Sequence, residues 1–222
     1  MTDARVVSRN VLAEQVKDRL LEDILSGRYP AKSRIIETRV ARELGTSQAP
    51  VREALRGLEA LGVVEILPFR GARVRHPSRS ELLEAYTIRA ELEALGARLG
   101  VPMMTDRDLA DIEDLLAEME RAADTGDRHA VALADATFHG RLLQLSDNAT
   151  LARVWRSLEP YSRTYISVVG ADTHWTAGLH PQIVEALRTR DPEAVVAALR
   201  DHFEQASSHL TEPWHDEGSK PA

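Results

Sequence analysis

The chain has 222 residues, a formal net charge of −7, eight histidines and no cysteine. The lack of cysteine excludes disulfides and thiolate metal ligands, and no apolar run reaches the roughly 18 to 20 residues of a membrane-spanning helix. We therefore expect a cytoplasmic protein that does not bind membranes.

The net charge is divided unevenly along the chain. Residues 1–77 hold 14 Lys and Arg against 10 Asp and Glu, a balance of +4, whereas residues 78–222 hold 14 against 25, a balance of −11. Salt screens attraction to phosphate beyond about 8 Å, so the local balance decides a contact with nucleic acid. The first third of the chain is therefore able to bind DNA, and we expect the acidic remainder to face away from it.

The first two predicted helices are short and well delimited. Residues 11–25 have apolar side chains at successive i+4 steps, which predicts an amphipathic helix. Residues 37–44 predict a second helix, and Gly45 ends it because glycine tolerates a left-handed backbone.

The next helix, residues 48–62, is predicted to have one buried face and one free face. Ser47 is suited to the N-cap, and Pro50 falls in the first turn, where a missing N–H costs little. The apolar stripe consists of Val51, Ala54, Leu55, Leu58 and Leu61. The residues on the free face are Gln48, Ala49, Arg52 and Arg56.

Two short strands, residues 63–67 and 72–75, are predicted around a turn that carries Arg70 and Gly71. A helix-turn-helix followed by such a wing reads DNA by placing the N-terminal end of its second helix in the major groove. The alternative is an ordinary helical hairpin followed by a structural β-hairpin with solvated charges. The predicted DNA contacts are Ser47, Gln48, Ala49, Pro50, Arg52, Arg56, Arg70 and Gly71.

The segment from Ile35 to Val74 resembles the N-terminal domain of the GntR family of bacterial transcription regulators. The resemblance rests on Leu44-Gly45-Thr46-Ser47, on Pro50-Val51-Arg52-Glu53-Ala54-Leu55 and on the Arg70-Gly71 wing. Many relatives carry an arginine where this chain has Gln48, so a contact there would be an uncharged hydrogen bond, such as glutamine to adenine. The resemblance implies DNA binding but leaves the operator sequence open.

The rest of the chain predicts helices only. We expect a mostly α protein in which a winged helix-turn-helix domain (1–76, three helices plus the wing) is joined by a linker (77–80) to an all-α bundle of six or seven helices (81–212), followed by a disordered tail (213–222). Ser78 and Glu81 have the spacing of a capping box. The predicted helices of the bundle span about 80–100, 106–124, 128–146, 149–169, 176–190 and 193–210.

Four residues of this bundle are candidate metal ligands. Asp135 and His139 lie four residues apart on one helical face. His180 and His202 each lie 11 residues from Asp191, so an antiparallel hairpin that turns there brings them level. Three imidazoles and a carboxylate suit a divalent ion, with Zn²⁺ favoured and Ni²⁺ or Mn²⁺ as alternatives.

This assignment has alternatives, because an Asp–His pair at i, i+4 often lies on the surface of a helix. His209, seven residues after His202, is the substitute if the last ligand is misassigned.

Arg89 is the leading candidate for binding an effector. It lies among apolar residues, where a guanidinium could hold a carboxylate through two hydrogen bonds; the alternative is a surface ion pair with Glu93 at i, i+4. Asn148 and Arg163 are further candidates of the same kind.

Residues 81–210 resemble the all-helical effector-binding domain, called FCD, of the FadR-like branch of the same family. The resemblance rests on residues 84–93, on Asp135 to His139, on Asp147-Asn148, on residues 180–187 and on His202. In many relatives the four corresponding ligand positions bind a divalent metal beside a small carboxylate metabolite. The resemblance therefore implies a metal site at these positions, without indicating which metal.

These observations predict a transcription regulator that binds operator DNA as a homodimer and responds to a small carboxylate, not an enzyme. A repressor is expected, and an activator stays open as the alternative. The homodimer is expected because two-fold operators match two-fold proteins. Two alternatives stay open. One is a metal-dependent hydrolase with a DNA-binding appendage, which would need a second base that no motif supplies, and the other is a pure metal sensor.

Overall fold

The computed structural model describes residues 4–68, 70–169 and 171–210, with side chains from residue 11 onward and none at 168–169. The tail expected at 213–222 lies outside this part of the chain. The α-helices are α1 (Ala4–Leu25), α2 (Glu37–Glu43), α3 (Gln48–Ala60), α4 (Arg79–Gly100), α5 (Asp106–Asp124), α6 (Arg128–Gln144), α7 (Ala149–Arg156), α8 (Glu159–Thr164), α9 (Thr173–Gly178), α10 (Pro181–Arg188) and α11 (Pro192–His209). The strands are β1 (Arg34–Ile35), β2 (Val64–Leu67) and β3 (Gly71–Val74).

The first core lies under α1, α2, α3 and the strands. Leu20 and Ile24 of α1 share it with Leu55 and Leu58 of α3, and all four side chains are buried. These are the apolar residues that the i, i+3, i+4 pattern predicts to face inward. The winged helix-turn-helix fold is confirmed.

The turn between α2 and α3 has the expected left-handed glycine. Gly45 has φ = 63°, and the amide of Thr46 donates to the carbonyl of Ala41 at 2.9 Å, which closes the last turn of α2. Ser47 occupies the N-cap of α3 with an extended backbone, but its side chain makes no capping hydrogen bond.

The wing belongs to a larger sheet than the predicted hairpin. Within the described residues the antiparallel order is β1-β3-β2, with Ile35 paired to Ala72 and Leu67 paired to Gly71. Strand β1 has two residues, too few to show alternation, so no sequence pattern predicted it. It forms because the buried Ile35 packs into the first core.

Helix α4 begins at Arg79, inside the residues assigned to the linker. The predicted capping box is present: the Ser78 side chain accepts from the Glu81 amide, and the Glu81 carboxylate accepts from the Ser78 amide. The start of the bundle is therefore held by local hydrogen bonds.

Two helices that were predicted to be continuous are divided. Residues 149–169 form α7, α8 and a π-helical turn over Tyr165–Val169, with Pro160 near the start of α8. Residues 176–190 are divided between α9 and α10, with Pro181 as the first residue of α10. Proline has no N–H to donate to the preceding turn, so a helix begins at each of these prolines instead of running through it.

The second core is formed by the helices from α4 to α11. It is made of aliphatic and aromatic side chains, with Leu82, Ile112, Phe138, Ile183 and Leu199 fully buried. Among the described residues, no helix is long and apolar enough to cross a membrane. An all-helical bundle therefore follows the winged fold.

Gly71 supplies a prediction about the wing. Its φ is +81°, and a Cβ placed there would lie 2.4 Å from the carbonyl oxygen of Ile35 in β1. Gly27 has the same φ with nothing within 4 Å of the added atom. Gly27→Ala should cost about 1 kcal/mol of folding free energy from backbone strain, and Gly71→Ala at least about 1 kcal/mol more from the added clash.

Urea unfolding followed by circular dichroism measures both variants of the full chain. Equal losses of stability would show that β1 does not approach Gly71 as closely as described.

Candidate functional site

The three predicted histidine ligands meet inside the bundle. His139 on α6, His180 at the start of α10 and His202 on α11 are buried, and one ring nitrogen from each lies within 4.8 Å of the other two. The rings of His180 and His202 are 4.8 Å apart between centroids, so the hairpin at Asp191 brings them level. His209 is not part of this cluster; its ring stacks on Trp175.

Asp135 joins the histidines through one oxygen. Its Oδ1 lies 3.2 Å from His180 Nε2 and 3.8 Å from His139 Nε2, while the buried Oδ2 has no hydrogen-bond partner among the described residues. Burial acts to raise the pKa of Asp135, but the hydrogen bond to His180 and the nearby imidazoles outweigh it and hold the pKa below its usual range. The carboxylate is therefore ionised and has an oxygen to offer to a ligand.

Each histidine has an acceptor at Nδ1. His139 Nδ1 lies 2.5 Å from the Glu93 carboxylate, and His180 Nδ1 lies 3.0 Å from the carbonyl of Thr176. His202 Nδ1 lies 3.3 Å from the carbonyl of Leu179. Because these oxygens can accept hydrogen bonds, a proton on Nδ1 of each ring would be paired when Nε2 binds a metal ion.

The imidazole nitrogens and carboxylate oxygens that face the centre of the cluster are potential metal ligands. The Nε2 atoms of His139 and His180 are 3.3 Å apart, and Asp135 adds its oxygens. Burial and the neighbouring imidazoles lower the pKa of His202 well below its usual value, which keeps this ring neutral. A carboxylate and three imidazoles that converge in this way are ligand types that bind divalent metals, so the residues present fit a divalent metal ion.

Glu93 is the residue that sequence reasoning missed. One carboxylate oxygen accepts from Arg89 at 2.9 and 3.1 Å and from the Trp155 indole at 2.7 Å, while the other accepts from His139. Burial acts to raise the pKa of Glu93, but His139 and Arg89 outweigh it and lower the pKa to about 2. The sequence signalled this residue only as a possible surface partner of Arg89.

Arg89 forms an ion pair with Glu93, as in the alternative assignment. The pair is buried and does not lie on the surface, since the exposed fractions of the two side chains are 2% and 0%. Its guanidinium lies over the rings of Trp155 and Phe203 and donates to the Ser162 hydroxyl. It lines a small cavity of about 20 Å³ that is partly open to solvent. The cavity is also lined by Asp135, His180, His202, Tyr86, Tyr165, Trp175 and Thr176.

The other two effector candidates lie outside this lining. Asn148 caps α7 by accepting from the Leu151 amide at 3.0 Å. Arg163 is buried and donates to Glu159 at 3.2 Å and to Glu22 of α1 at 2.8 and 3.0 Å. In the structure, these polar groups are used in a helix cap and in a contact with the winged fold.

The predicted DNA-contacting residues surround an open groove between α3 and the wing. Gln48, Arg52, Arg56, Arg70 and Gly71 line it. Arg34 of β1 lines it as well and was missed because β1 was not predicted.

Three predicted contacts from the start of α3 do not line this groove. Ser47 is exposed and Ala49 half-buried beside it. Pro50 is buried, so its ring packs inward.

The sequence matches two family profiles over most of its length. Residues 12–74 match the profile described as bacterial regulatory proteins, gntR family, and residues 84–205 match that of the FCD domain.

Among curated proteins, the chain is 34% identical to a probable D-xylose utilization operon transcriptional repressor of Paenarthrobacter nicotinovorans, over 97% of this chain and 95% of that protein. It is 22% identical to the gluconate operon transcriptional repressor of Bacillus subtilis, over 95% and 90%. Among solved structures, a putative GntR regulator from Rhodococcus sp. RHA1 superposes with a TM-score of 0.78 at 25% identity, covering 89% of this chain and 96% of that one.

Glu93 supplies a prediction about the stability of the site. Glu93→Gln keeps the size of the side chain but leaves the buried Arg89 without a counterion, and removing one partner of a buried ion pair costs about 3–5 kcal/mol. Urea unfolding at neutral pH measures the loss.

Glu91→Gln is the matched control on the same helix. Its carboxylate is 67% exposed and 3.5 Å from Arg200, so the change should stay within about 1 kcal/mol. Similar losses for the two variants would contradict the central role of Glu93.

Proposed function

The chain belongs to the GntR family of bacterial transcription regulators, in the branch with an FCD domain, and we propose that it is a repressor whose affinity for operator DNA is controlled by a small carboxylate bound beside a divalent metal ion. The hydrolase alternative has no support, since the family and its relatives regulate transcription and are not enzymes. The proposal rests on one observation. Asp135 and the three histidines are buried together, and Asp135 Oδ2 has no hydrogen-bond partner among the described residues.

The metal ligands in this proposal are Asp135, His139, His180 and His202. A divalent ion would balance the Asp135 charge and attract an anionic ligand to the cavity. Zn²⁺ suits three imidazole nitrogens and one carboxylate, and Ni²⁺ or Mn²⁺ are alternatives that the donor set also accepts. Glu93 would orient His139 from behind, as carboxylates do for metal-bound histidines.

A small carboxylate suits the cavity next to these ligands. Arg89 contributes a positive charge to the wall, and Ser162 and Thr176 contribute hydroxyl groups between aromatic rings. One relative is named for a gluconate operon, and gluconate is a hydroxylated carboxylate. Another is named for D-xylose utilization, and D-xylose is a neutral polyhydroxylated sugar, so both names favour hydroxyl groups on the effector.

The homodimer is supported by an exposed apolar face on α4. Ile88, Leu95 and Leu99 lie seven and four residues apart, so they project from one side of the helix, and their exposed fractions are 50%, 43% and 45%. An apolar helix face of this kind favours a protein partner. A second copy of the chain would match the two-fold symmetry of a palindromic operator.

Arg52 tests the proposed recognition face. Its side chain is exposed and bonded to Glu37 of α2 at 3.0 Å, beside the groove. Arg52→Ala should weaken binding to a duplex that the wild-type protein enriches from random sequences by roughly 5- to 150-fold, the range of one specific base contact. Gel-shift titration at fixed salt measures it.

Arg98→Ala is the control, because Arg98 is an exposed arginine of the bundle that pairs with Glu193. Removing it takes away the same charge far from the groove. A similar loss in both variants would refute the assignment of α3 as the reading helix.

His180 tests the metal site. His180→Ala removes one imidazole from the cluster and should lower the affinity for zinc by more than about a hundredfold, measured by calorimetric titration of chelator-treated protein. His174→Ala is the control, since the His174 side chain is 67% exposed, lies 3.9 Å from Asp124 and does not belong to the cluster. Unchanged zinc affinity in His180→Ala would remove the proposed site.

DNA affinity measured with zinc alone and with zinc plus a carboxylate distinguishes an effector-controlled repressor from a metal sensor. If zinc alone produces the full change in DNA affinity and no carboxylate adds to it, the effector part of the proposal is wrong and metal sensing remains.

A further inference from the structure

Helix α8 lies between the cavity and the winged fold. Ser162 lines the cavity and accepts a hydrogen bond from Arg89. Arg163, the next residue, has a buried side chain that contacts Glu22 of α1 through both carboxylate oxygens. Neighbouring residues of one short helix therefore touch the cavity on one side and the DNA-binding fold on the other.

Other residues of α8 also touch the winged fold. A Cβ placed on Gly62, just after α3, would lie 2.9 Å from the hydroxyl of Tyr161. Pro160 and Thr164 line a small crevice of about 10 Å³ against Ile24 of α1. Contacts between two folded parts of one chain commonly allow relative motion, so the two parts can shift against each other.

The contact between Arg163 and Glu22 can break without leaving a buried charge unpaired. Arg163 also donates to Glu159 of its own helix at 3.2 Å, and the Glu22 side chain is 45% exposed, so water can solvate it. A buried ion that keeps one partner while another leaves avoids the large cost of a stranded charge. The arginine therefore has two arrangements, with and without Glu22.

A displacement of Glu22 also moves α3, the predicted DNA-reading helix, because α1 and α3 pack together. Leu20 and Ile24 of α1 are packed in the same core as Leu55 and Leu58 of α3. A Cβ on Gly57 of α3 would lie 2.9 Å from the Lys17 side chain of α1. Because these helices pack closely, they move as one body.

We propose that Arg163 is a positioning residue that transmits occupancy of the metal cavity to the winged fold through Glu22. This rests on the proposed function, since it needs a ligand to enter the cavity. An ion or ligand bound in the cavity that Ser162 lines displaces α8, and the contact between Arg163 and Glu22 carries the displacement to α1 and α3. Coupling of this kind has two distinct sites and one element with two arrangements.

The test uses full-length protein with zinc as the probe and two charge-matched variants. Glu22→Gln removes the ion pair and leaves at most one neutral hydrogen bond to Arg163, whereas Glu14→Gln removes the same charge from α1 at an exposed pair with Lys17. Zinc affinity and zinc-free DNA affinity should stay within about twofold of wild type in both variants, because neither residue belongs to either site.

The deciding quantity is the ratio of DNA affinities with and without zinc. We expect a ratio of about fivefold or more in wild type and Glu14→Gln, falling to within about twofold in Glu22→Gln. In hydrogen exchange, zinc should alter the amides of α8 in every form and those of α1 in all but Glu22→Gln. A merely structural role for the contact would lower stability without changing this ratio.

Two outcomes overturn the inference. If zinc binds and Glu22→Gln keeps the wild-type ratio, the Arg163 contact does not transmit occupancy. If zinc binds wild type without altering α1 exchange or the DNA ratio, no such route operates. Failure of zinc to bind at all would instead overturn the proposed function, and this inference with it.

Discussion

The constraint on which the bundle depends is that each charge buried in it must be paired. Glu93 meets this constraint for α4, α6 and α7 at once, because it accepts from Arg89, His139 and Trp155. Asp135 does the same with the imidazoles of His139 and His180, but one of its oxygens has no hydrogen-bond partner among the described residues. A buried carboxylate oxygen without a donor is costly, so the packing that stabilises the bundle also creates a place for a cation. Stability and ligand binding are therefore properties of the same side chains.

Communication between the two parts of the molecule depends on a break in the helical pattern. The stretch 149–169 does not continue as one helix: Pro160 starts a new short helix, and a π-helical turn follows it at Tyr165–Val169. A long helix would be held by uninterrupted backbone hydrogen bonds, whereas a six-residue helix between two breaks can move as a unit. Ser162 and Arg163 lie on this unit, facing the cavity and α1 respectively. The charge division of the chain agrees with this arrangement, since the basic part contains the winged fold and the acidic part contains the cavity.

Much of the fold was predictable because it depends on residues close together in the sequence. The apolar stripe of α3, the left-handed Gly45 and the capping box of Ser78 and Glu81 are all local, and the structure contains each of them. The level placement of His180 and His202 was also predictable, because it requires only a turn at Asp191 and equal spacing on both sides. The two-residue strand β1 was not predicted because it carries no periodic pattern. The helix starts near Pro160 and at Pro181 were not predicted either, because both segments were assigned as continuous helices.

By itself, the sequence determined which segments are helical, which face of α3 is free, and which carboxylate and imidazoles could form a metal site. Only the tertiary structure decided that Arg89 and Glu93 are buried together, that Asn148 is a helix cap, and that Arg163 reaches Glu22 instead of the cavity. The reason is the range of the interactions involved. Caps, turns and helical faces depend on neighbours within about four residues, whereas Arg163 and Glu22 are 141 positions apart and meet only after both parts of the chain have packed.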